Sequence, residues 1–257
     1  MDINTEFMRR YAPYTLPGFK PSARSMDELP EIDEPDGDKL RILAHEVDVK
    51  RAEDAFVGAK LAGRELFANL IEMLKNDKGV QIEGLLAVIG AMGGYECMSG
   101  IMSAFNAVVA GGVPLAAAGA ELSVFIAETK SGEKLLFGDR VGNQFCAFCM
   151  NAAKLPEPPF EILKPLSERA AKTGGTPEYW ETPFNKTVGS SPKEISEGFR
   201  GKFEPTFKVF CRYPQERMLA WSVAAQIAVE KARDVIGSDT AMNILSEFGW
   251  RTSHYIG

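Results

Sequence analysis

The stretch GLLAVIGAMGGYECMSGIMSAFNAVVA, which begins at Gly84 and ends at Ala110, decides the fold of this chain. Glu96 is the only charged residue between Gly84 and Ala120, and the sequence GGVP at Gly111–Pro114 interrupts the run. An uncharged segment of this length is a candidate membrane span. Its glycines, its central charge and its break argue against one, because a kinked backbone exposed to lipid leaves polar groups unsatisfied. The sequence therefore predicts a helix buried within protein, and no membrane insertion.

Small residues line one face of this helix. They recur every three or four positions, which places them on one side of an α-helix: Gly90, Gly93, Cys97, Gly100, Ala104 and Ala107. Each glycine inside a helix costs about 1 kcal/mol relative to alanine, so this face needs a compensating contact. Small side chains allow a second helix to approach closely. We therefore expect a close helix contact here and self-association of the chain through this face, to a homodimer or a higher homo-oligomer.

A polar stripe lies about 100° around the same helix. It consists of Glu96, Ser99, Ser103 and Asn106, with Cys97 beside Glu96. One interpretation is a solvated strip or a helix seam joined by hydrogen bonds. The other is the wall of a binding pocket, in which burial raises the pKa of Glu96 and makes it available as an acid or a base. The two interpretations both remain open at the level of sequence.

The composition is that of an ordinary globular protein. Hydrophobic residues make up 45% of the 257 residues, and the formal net charge is −6. Such a charge repels nucleic acid unless a basic patch is present, and the sequence contains none. The four cysteines have no framework spacing, and the first residues resemble no secretion leader. We therefore expect a cytoplasmic protein with free thiols, and no nucleic-acid partner.

The chain divides into an arm and one domain. Residues 1–37 hold five prolines and an acidic run, which predicts an extended arm. Residues 38–257 are expected to form a single domain with an irregular segment at 173–213. Helical spacing predicts helices over about 49–75 and 81–110, a short helix opened by the capping box SPKE at Ser191–Glu194, a long helix after Pro214 that ends at Gly237, and a last helix capped by Ser238 or Asp239.

One segment has the alternation of a β-hairpin. The sequence ELSVFIAETKSGEKLLFGD, at Glu121–Asp139, holds two runs of strand-forming residues around Ser131-Gly132. The predicted fold class is therefore α+β and predominantly α-helical. A small antiparallel hairpin or sheet would pack on a helical core that has the Gly/Ala-rich helix at its centre.

The cysteine pair CAFC places Cys146 and Cys149 one helical turn apart, as in a redox pair or half of a zinc site. Its neighbours are apolar, and a buried structural role is common for cysteine. His45 and His254, the only histidines, offer no close second pair of metal ligands. The sequence therefore predicts no metal site and no cofactor.

The middle and the C-terminal part resemble a family of bacterial proteins of similar length that has no assigned activity. The resemblance is carried by the helix GAMGGYECMSG, the segment ETKSGEKLLFGD and the helix AWSVAAQIAVEKARDVI. It implies that these elements belong to one fold, and it implies no reaction.

Three functional hypotheses follow. The first is a soluble cytoplasmic homo-oligomer that binds a small molecule or a protein partner. The second is an enzyme that uses Glu96 as acid or base, with Cys97 beside it. The third is a thiol redox or zinc protein that acts through Cys146 and Cys149.

Overall fold

The computed structural model of the chain describes residues 33–54, 56–110, 153–154, 176–212 and 214–252, and for residues 97, 98, 100–110, 214 and 215 the backbone alone. The helices in these ranges are α1 (Asp38–Lys50), α2 (Val57–Leu74), α3 (Ile82–Ala110), α4 (Asn185–Val188), α5 (Pro192–Phe199), α6 (Glu204–Phe210), α7 (Pro214–Ile236) and α8 (Ser238–Thr252), together with a 3-10 helix at Pro177–Trp180.

The predicted α+β class is wrong. The described part of the chain is 76% helical and holds no sheet. The only β pairing among the described residues is a bridge between Asn76 and Gly79, which closes the turn between α2 and α3. The hairpin expected at Glu121–Asp139 lies outside the described residues. The β-propensity of that short run is what indicates the α+β class, and such propensity depends strongly on context. Packing of helix against helix forms this core instead.

The long uncharged helix is the centre of the fold, as its sequence predicts. Helix α3 packs against α8, α7 and α5, and α7 also packs against α2. The apolar side chains of the first half of α3 are almost completely buried, and so is the alanine-rich face of α7 around Trp221. Burial of apolar surface is the main force that holds the helices together. Within the described residues, no helix is both long enough and apolar enough to cross a membrane.

The close helix contact predicted for the small face of α3 is confirmed at Gly90. A Cβ atom on Gly90 would lie 2.6 Å from the carbonyl oxygen of Leu245 in α8, and one on Gly94 would clash with the carbonyl oxygen of Gly249. The partner helix therefore belongs to the same chain. Gly93 is buried, and the side chains of Cys97, Ala104 and Ala107 lie outside the described residues.

Helices α2 and α7 approach closely as well. A Cβ atom on Gly63 would lie 2.6 Å from the carbonyl oxygen of Ala220. The helix expected over 49–75 begins only at Val57, because residues 51–54 form turns that carry the chain from α1 to α2. Helix α2 ends at Leu74, and Gly79 takes the positive φ of 101° that the following tight turn requires.

The predictions for the C-terminal half are confirmed, except that α8 is longer and the segment at 173–213 contains more helices than expected. Ser191 and Glu194 form the predicted capping box, and α7 ends where Gly237 takes a φ of 83°. Ser238 begins α8, and its hydroxyl donates to the carbonyl oxygen of Ala153 at 2.7 Å. Helix α8 runs to Thr252, further than the sequence pattern indicated. The irregular segment at 173–213 contains, in its described part, the 3-10 helix and three short α-helices.

The proposed arm falls mostly outside the described residues, which begin at position 33. Helix α1 follows it and is loosely attached, since Val47 is its one fully buried residue. The apolar side chains of Ile42 and Val49 on α1 are 61% and 62% exposed. The division of the chain into arm and domain remains a prediction.

Candidate functional site

Five polar residues gather where one face of α3 meets the ends of three other helices. Tyr95 and Glu96 lie in α3, Arg200 follows the end of α5, Glu204 begins α6, and Arg217 lies in the first turns of α7. We call these five residues the Glu96 cluster. Two short helices position two of these residues: the end of α5 places Arg200, and the start of α6 places Glu204.

Glu96 is a buried carboxyl to which the described residues donate no hydrogen bond. Its residue exposure is 5%, and within the described part of the chain no donor contacts its oxygens. Loss of hydration raises the pKa of Glu96 from 4.5 to about 7, while the positive charge of Arg217 lowers that pKa and the negative charge of Glu204 raises it. Burial of a carboxylate without partners favours the neutral form. Glu96 therefore exists in both protonation states near neutral pH.

Arg217 is held in place by Glu204. Its Nη1 and Nη2 atoms donate to the two carboxylate oxygens of Glu204 at 2.7 and 2.9 Å. The guanidinium also lies over the ring of Phe207, with 5.0 Å between Cζ and the ring centroid. The Nε–H of Arg217 is buried and has no acceptor among the described residues. The pair is electrically neutral, but one donor of the arginine is unused.

Tyr95 is the member of the cluster that contacts Arg200. The Cζ atom of Arg200 lies 5.3 Å from the centroid of the Tyr95 ring, within the range of a cation–π contact. Burial raises the pKa of the Tyr95 hydroxyl, the charges of Arg200 and Arg217 lower that pKa, and those of Glu96 and Glu204 raise it. The phenol is therefore within electrostatic range of the four charged members of the cluster.

A second buried carboxylate, Glu216, is fully paired. Arg51 donates to its two oxygens at 2.6 and 3.0 Å, and the backbone N–H of Arg212 donates to Oε2 at 3.0 Å. Arg51 also contacts Asp48 at 2.8 Å and the carbonyl oxygen of Phe210 at 2.8 Å. These bonds attach the end of α1 to the start of α7. Glu216 therefore has a structural role, and it differs from Glu96 in that its acceptors are used.

Cys211 lies within electrostatic range of both buried carboxylates. It is 4% exposed, and burial raises the pKa of its thiol well above the ordinary value, with the charges of Glu216 and Glu96 adding to the rise. A thiol of this kind is poorly nucleophilic, because the thiolate is the reactive form. Cys211 is therefore a packing residue.

A third polar group ties α8 to the 3-10 helix. Arg251 and Glu247 pair at 3.3 Å, and both are less than 5% exposed. The hydroxyl of Tyr179 donates to the carbonyl oxygen of Arg251 at 3.0 Å, and the guanidinium lies 5.6 Å from the centroid of the Tyr179 ring. Paired charges of this kind orient neighbouring elements, so we interpret the group as structural.

The predicted polar stripe is only partly described. Glu96 is buried and Ser99 is half-buried, whereas Ser103 and Asn106 lie on α3 with side chains outside the described residues. The same holds for the side chain of Cys97. The interpretation of the stripe as a pocket wall therefore depends on Glu96.

The other predicted ligands are dispersed. Cys146, Cys149 and His254 lie outside the described residues, and His45 is exposed on α1. Among the residues that the structure describes, no group of histidine, cysteine and acidic side chains is arranged to hold a metal ion.

Sequence reasoning did not find Arg200, Glu204 and Arg217. They lie more than a hundred positions from Glu96 in the chain, Arg200 and Glu204 in the segment 173–213 that its prolines mark as irregular, and Arg217 in the helix predicted after Pro214. The sequence offers one signal, because Glu204 and Arg217 both lie near the start of a helix, and the two helix starts can meet at one junction. Without the fold, nothing joins that junction to α3.

Comparison of the chain with protein-family models, with curated proteins and with solved structures found no match.

Proposed function

We propose that this protein binds a small polar molecule at the Glu96 cluster. The observation that carries the proposal is a carboxyl that is 5% exposed and receives no hydrogen bond from the described residues, beside an arginine whose buried Nε–H is also unused. A buried polar group without a partner costs about 1–3 kcal/mol. A ligand that supplies the missing hydrogen bonds accounts for the retention of these groups. This is also what separates Glu96 from Glu216, whose partners the fold provides.

The burial of Glu96 favours a small molecule over a protein partner. A residue that is 5% exposed can be reached through a narrow opening but not by the broad surface of another protein. Ligand sites of small molecules are concave and mostly apolar, with a few placed polar groups. The Glu96 cluster has those polar groups beside the apolar faces of α3 and α7.

The test is a binding screen with matched variants. Small acids, amines and amides are screened by ligand-observed NMR against the wild-type protein, Glu96→Met and Glu65→Gln. Glu65 is an exposed residue of α2 and serves as the control. We expect at least one chemical class to bind the wild type and Glu65→Gln but not Glu96→Met. The proposal fails if Glu96→Met is folded and binds every compound that the wild type binds, or if no compound binds the wild type.

An enzyme that uses Glu96 for proton transfer is the second candidate. The pKa of about 7 is the observation that favours it, since general acid–base catalysis works best when the pKa lies near the working pH. A titration of carboxyl-labelled glutamate by carbon-13 NMR tests it. We expect one resonance with a midpoint near pH 7 that is lost in Glu96→Gln. A midpoint near 4.5 removes the enzyme candidate and leaves the binding proposal intact.

The proposal also includes a cytoplasmic, homo-oligomeric protein. The support for a cytoplasmic location is the absence of framework spacing among the cysteines. The support for an oligomer is weaker than the sequence indicated, because Gly90 and Gly94 already pack on α8 of the same chain. Light scattering of the purified protein measures the assembly directly, and a monomeric mass would remove the oligomer from the proposal.

A further inference from the structure

We infer that a second copy of this chain docks on the outward side of α1, with the two α1 helices antiparallel across a two-fold axis. This side, which we call the α1 face, has Ile42, His45 and Val49 along its middle and charged residues along both edges. The inference rests on the oligomeric part of the proposed function and is independent of the Glu96 cluster.

Exposed apolar side chains are concentrated on α1. Within the described residues, large apolar side chains are exposed at six positions, and four of the six lie on α1: Leu40, Ile42, Leu43 and Val49. A single exposed apolar residue is ordinary, whereas several on one short helix indicate an interaction surface. Val47, which packs against the rest of the chain, lies on the opposite side of the helix from Ile42 and Val49. The α1 face therefore points away from the body of the protein.

The small-residue face of α3 is already occupied in its described part. Helix α8 of the same chain covers Gly90 and Gly94, so a homo-oligomer needs another surface. Helix α1 packs mainly against α6 and α2, and Arg51, directly after its end, binds the carboxylate of Glu216. The helix is therefore fixed at its C-terminal end, and its outward side remains for a partner.

The charges of α1 are self-complementary when the helix is paired with a reversed copy of itself. In chain order they are negative, positive, positive, negative, negative and positive, at Asp38, Lys39, Arg41, Glu46, Asp48 and Lys50. Read backwards, every sign is the opposite. An antiparallel pair therefore brings each charge near one of opposite sign, whereas a parallel pair brings each charge near its own copy. Complementary charges of this kind determine the orientation in which two helices pair.

Helix geometry places these charges along the two edges of the α1 face. At 100° per residue, Lys39 and Glu46 lie along one edge, and Arg41 and Asp48 lie along the other. A two-fold axis through the middle of the face brings each edge against the same edge of the second copy. Lys39 then meets Glu46 of the partner subunit, and Arg41 meets Asp48 of the partner subunit. The side chains of Arg41 and Asp48 are 54% and 45% exposed, so both can take part.

The α1 face is small, so the expected dimer is weak. Interfaces that bury less than about 1,200 Å² in total are typical of transient complexes, and one helix of 13 residues offers no more than this. We therefore expect a reversible homodimer with a Kd on the order of 100 μM. A two-fold dimer uses the same surface of both copies, which agrees with the self-complementary order of the charges.

Sedimentation equilibrium of the full chain at concentrations from about 10 to 500 μM tests the inference. We expect the mean mass of the wild type to rise with concentration from that of one chain toward that of two. Ile42→Glu places a charge in the middle of the α1 face and should weaken association more than tenfold. Val235→Glu makes the same kind of change at an exposed apolar residue near the far end of α7, and it should leave association unchanged.

A charge exchange tests the antiparallel arrangement. Lys39→Glu and Glu46→Lys each place like charges together in a dimer of two identical variants, so each variant alone should associate about tenfold more weakly than the wild type. An equimolar mixture of the two restores opposite charges at both contacts, and its association should return to within about threefold of the wild type. Glu230→Lys, at an exposed residue of α7, is the control for the change of net charge.

The outcomes separate this inference from the proposed function. A wild type that remains monomeric up to 500 μM overturns the inference, and a loss of stability in a monomeric Ile42→Glu variant then shows that the chain covers its own α1 face. Association of the wild type that Ile42→Glu does not weaken also overturns it and assigns the oligomer to another surface. A mixture of Lys39→Glu and Glu46→Lys that associates no better than either variant alone rules out the antiparallel pair. The ligand screen with Glu96→Met decides the binding proposal whatever the result here.

Discussion

Gly249 of α8 lies directly against Gly90 of α3, so closely that a Cβ atom on Gly249 would be 3.1 Å from the carbonyl oxygen of Gly90. The backbones of the two helices meet there without intervening side chains. Such an approach requires glycine on both helices, which explains why the central helix carries residues that are unfavourable for helix formation. The loss of helix propensity is offset by the close packing of two buried helices.

This contact predicts opposite effects of alanine at two glycines of α3. Gly90→Ala would place Cβ 2.6 Å from the carbonyl oxygen of Leu245, so the helices must separate, and we expect a loss of about 2–3 kcal/mol in the free energy of unfolding. Gly84→Ala would meet only the side chain of Gln81, at 3.7 Å, and should stabilise the protein by up to about 1 kcal/mol. Urea denaturation of both variants measures the difference. Equal effects of the two substitutions would contradict the close contact.

The Arg51–Glu216 pair predicts a strong non-additivity. Arg51→Met leaves the carboxylate of Glu216 buried without its main partner, so we expect a loss of about 3 kcal/mol. The double variant with Glu216→Met removes the second charge too and should recover stability to within about 1 kcal/mol of wild type. Thermal and urea unfolding of the single and double variants check this. A double variant as unstable as the single one would show that packing of the arginine, rather than the unpaired charge, is what matters.

Glu96 predicts that stability falls as the pH rises toward neutrality. Its folded pKa of about 7 lies above 4.5, so the folded state holds the proton more tightly than the unfolded state. The native protein therefore has its full stability below pH 4.5 with respect to this group and loses about 3 kcal/mol as the pH rises through 7. Glu96→Gln should lack this loss. The difference between the two unfolding free energies, measured from pH 5 to pH 8, isolates the effect, and a constant difference would refute the shift.

Thr252 predicts a smaller effect at the end of α8. Its hydroxyl donates to the carbonyl oxygen of Ala91 on α3 at 2.7 Å and is completely buried. Thr252→Val keeps the shape and removes the donor, so we expect a loss of about 1 kcal/mol. Thr252→Ser keeps the donor and serves as the control for the hydrogen bond. If valine is tolerated better than serine, the methyl group rather than the hydroxyl stabilises this junction.

The sequence predicted the long helices well, because each has its own local signals. The uncharged run of α3, the apolar face of α7 with Gly237 at its end, and the capping box at Ser191 all act within a few residues. Helix α1 was not predicted, and it is loosely packed, since Val47 is its one buried residue and its large apolar side chains are otherwise exposed. The prediction of an α+β class was wrong because it gave one short strand-like segment more weight than the helical pattern of the rest of the chain.

The candidate site was predictable only at Glu96. A lone charge in an uncharged helix signals a special environment, but its meaning depends on what faces it. Arg200, Glu204 and Arg217 face it because of the long-range packing of α5 and α7 on α3, which no local pattern encodes. The same packing explains the small-residue face of α3, since α8 of the same chain covers Gly90.

The contact between α3 and α8 joins residues that are far apart in the chain, with 161 positions between Ala91 and Thr252. During synthesis, α3 leaves the ribosome long before the helix that covers it exists. Apolar surface that stays uncovered in this way promotes aggregation of the nascent chain. We therefore expect a chain that stops before α8 to expose the uncovered apolar face of α3 and to be degraded by proteases, rather than to form a smaller folded protein.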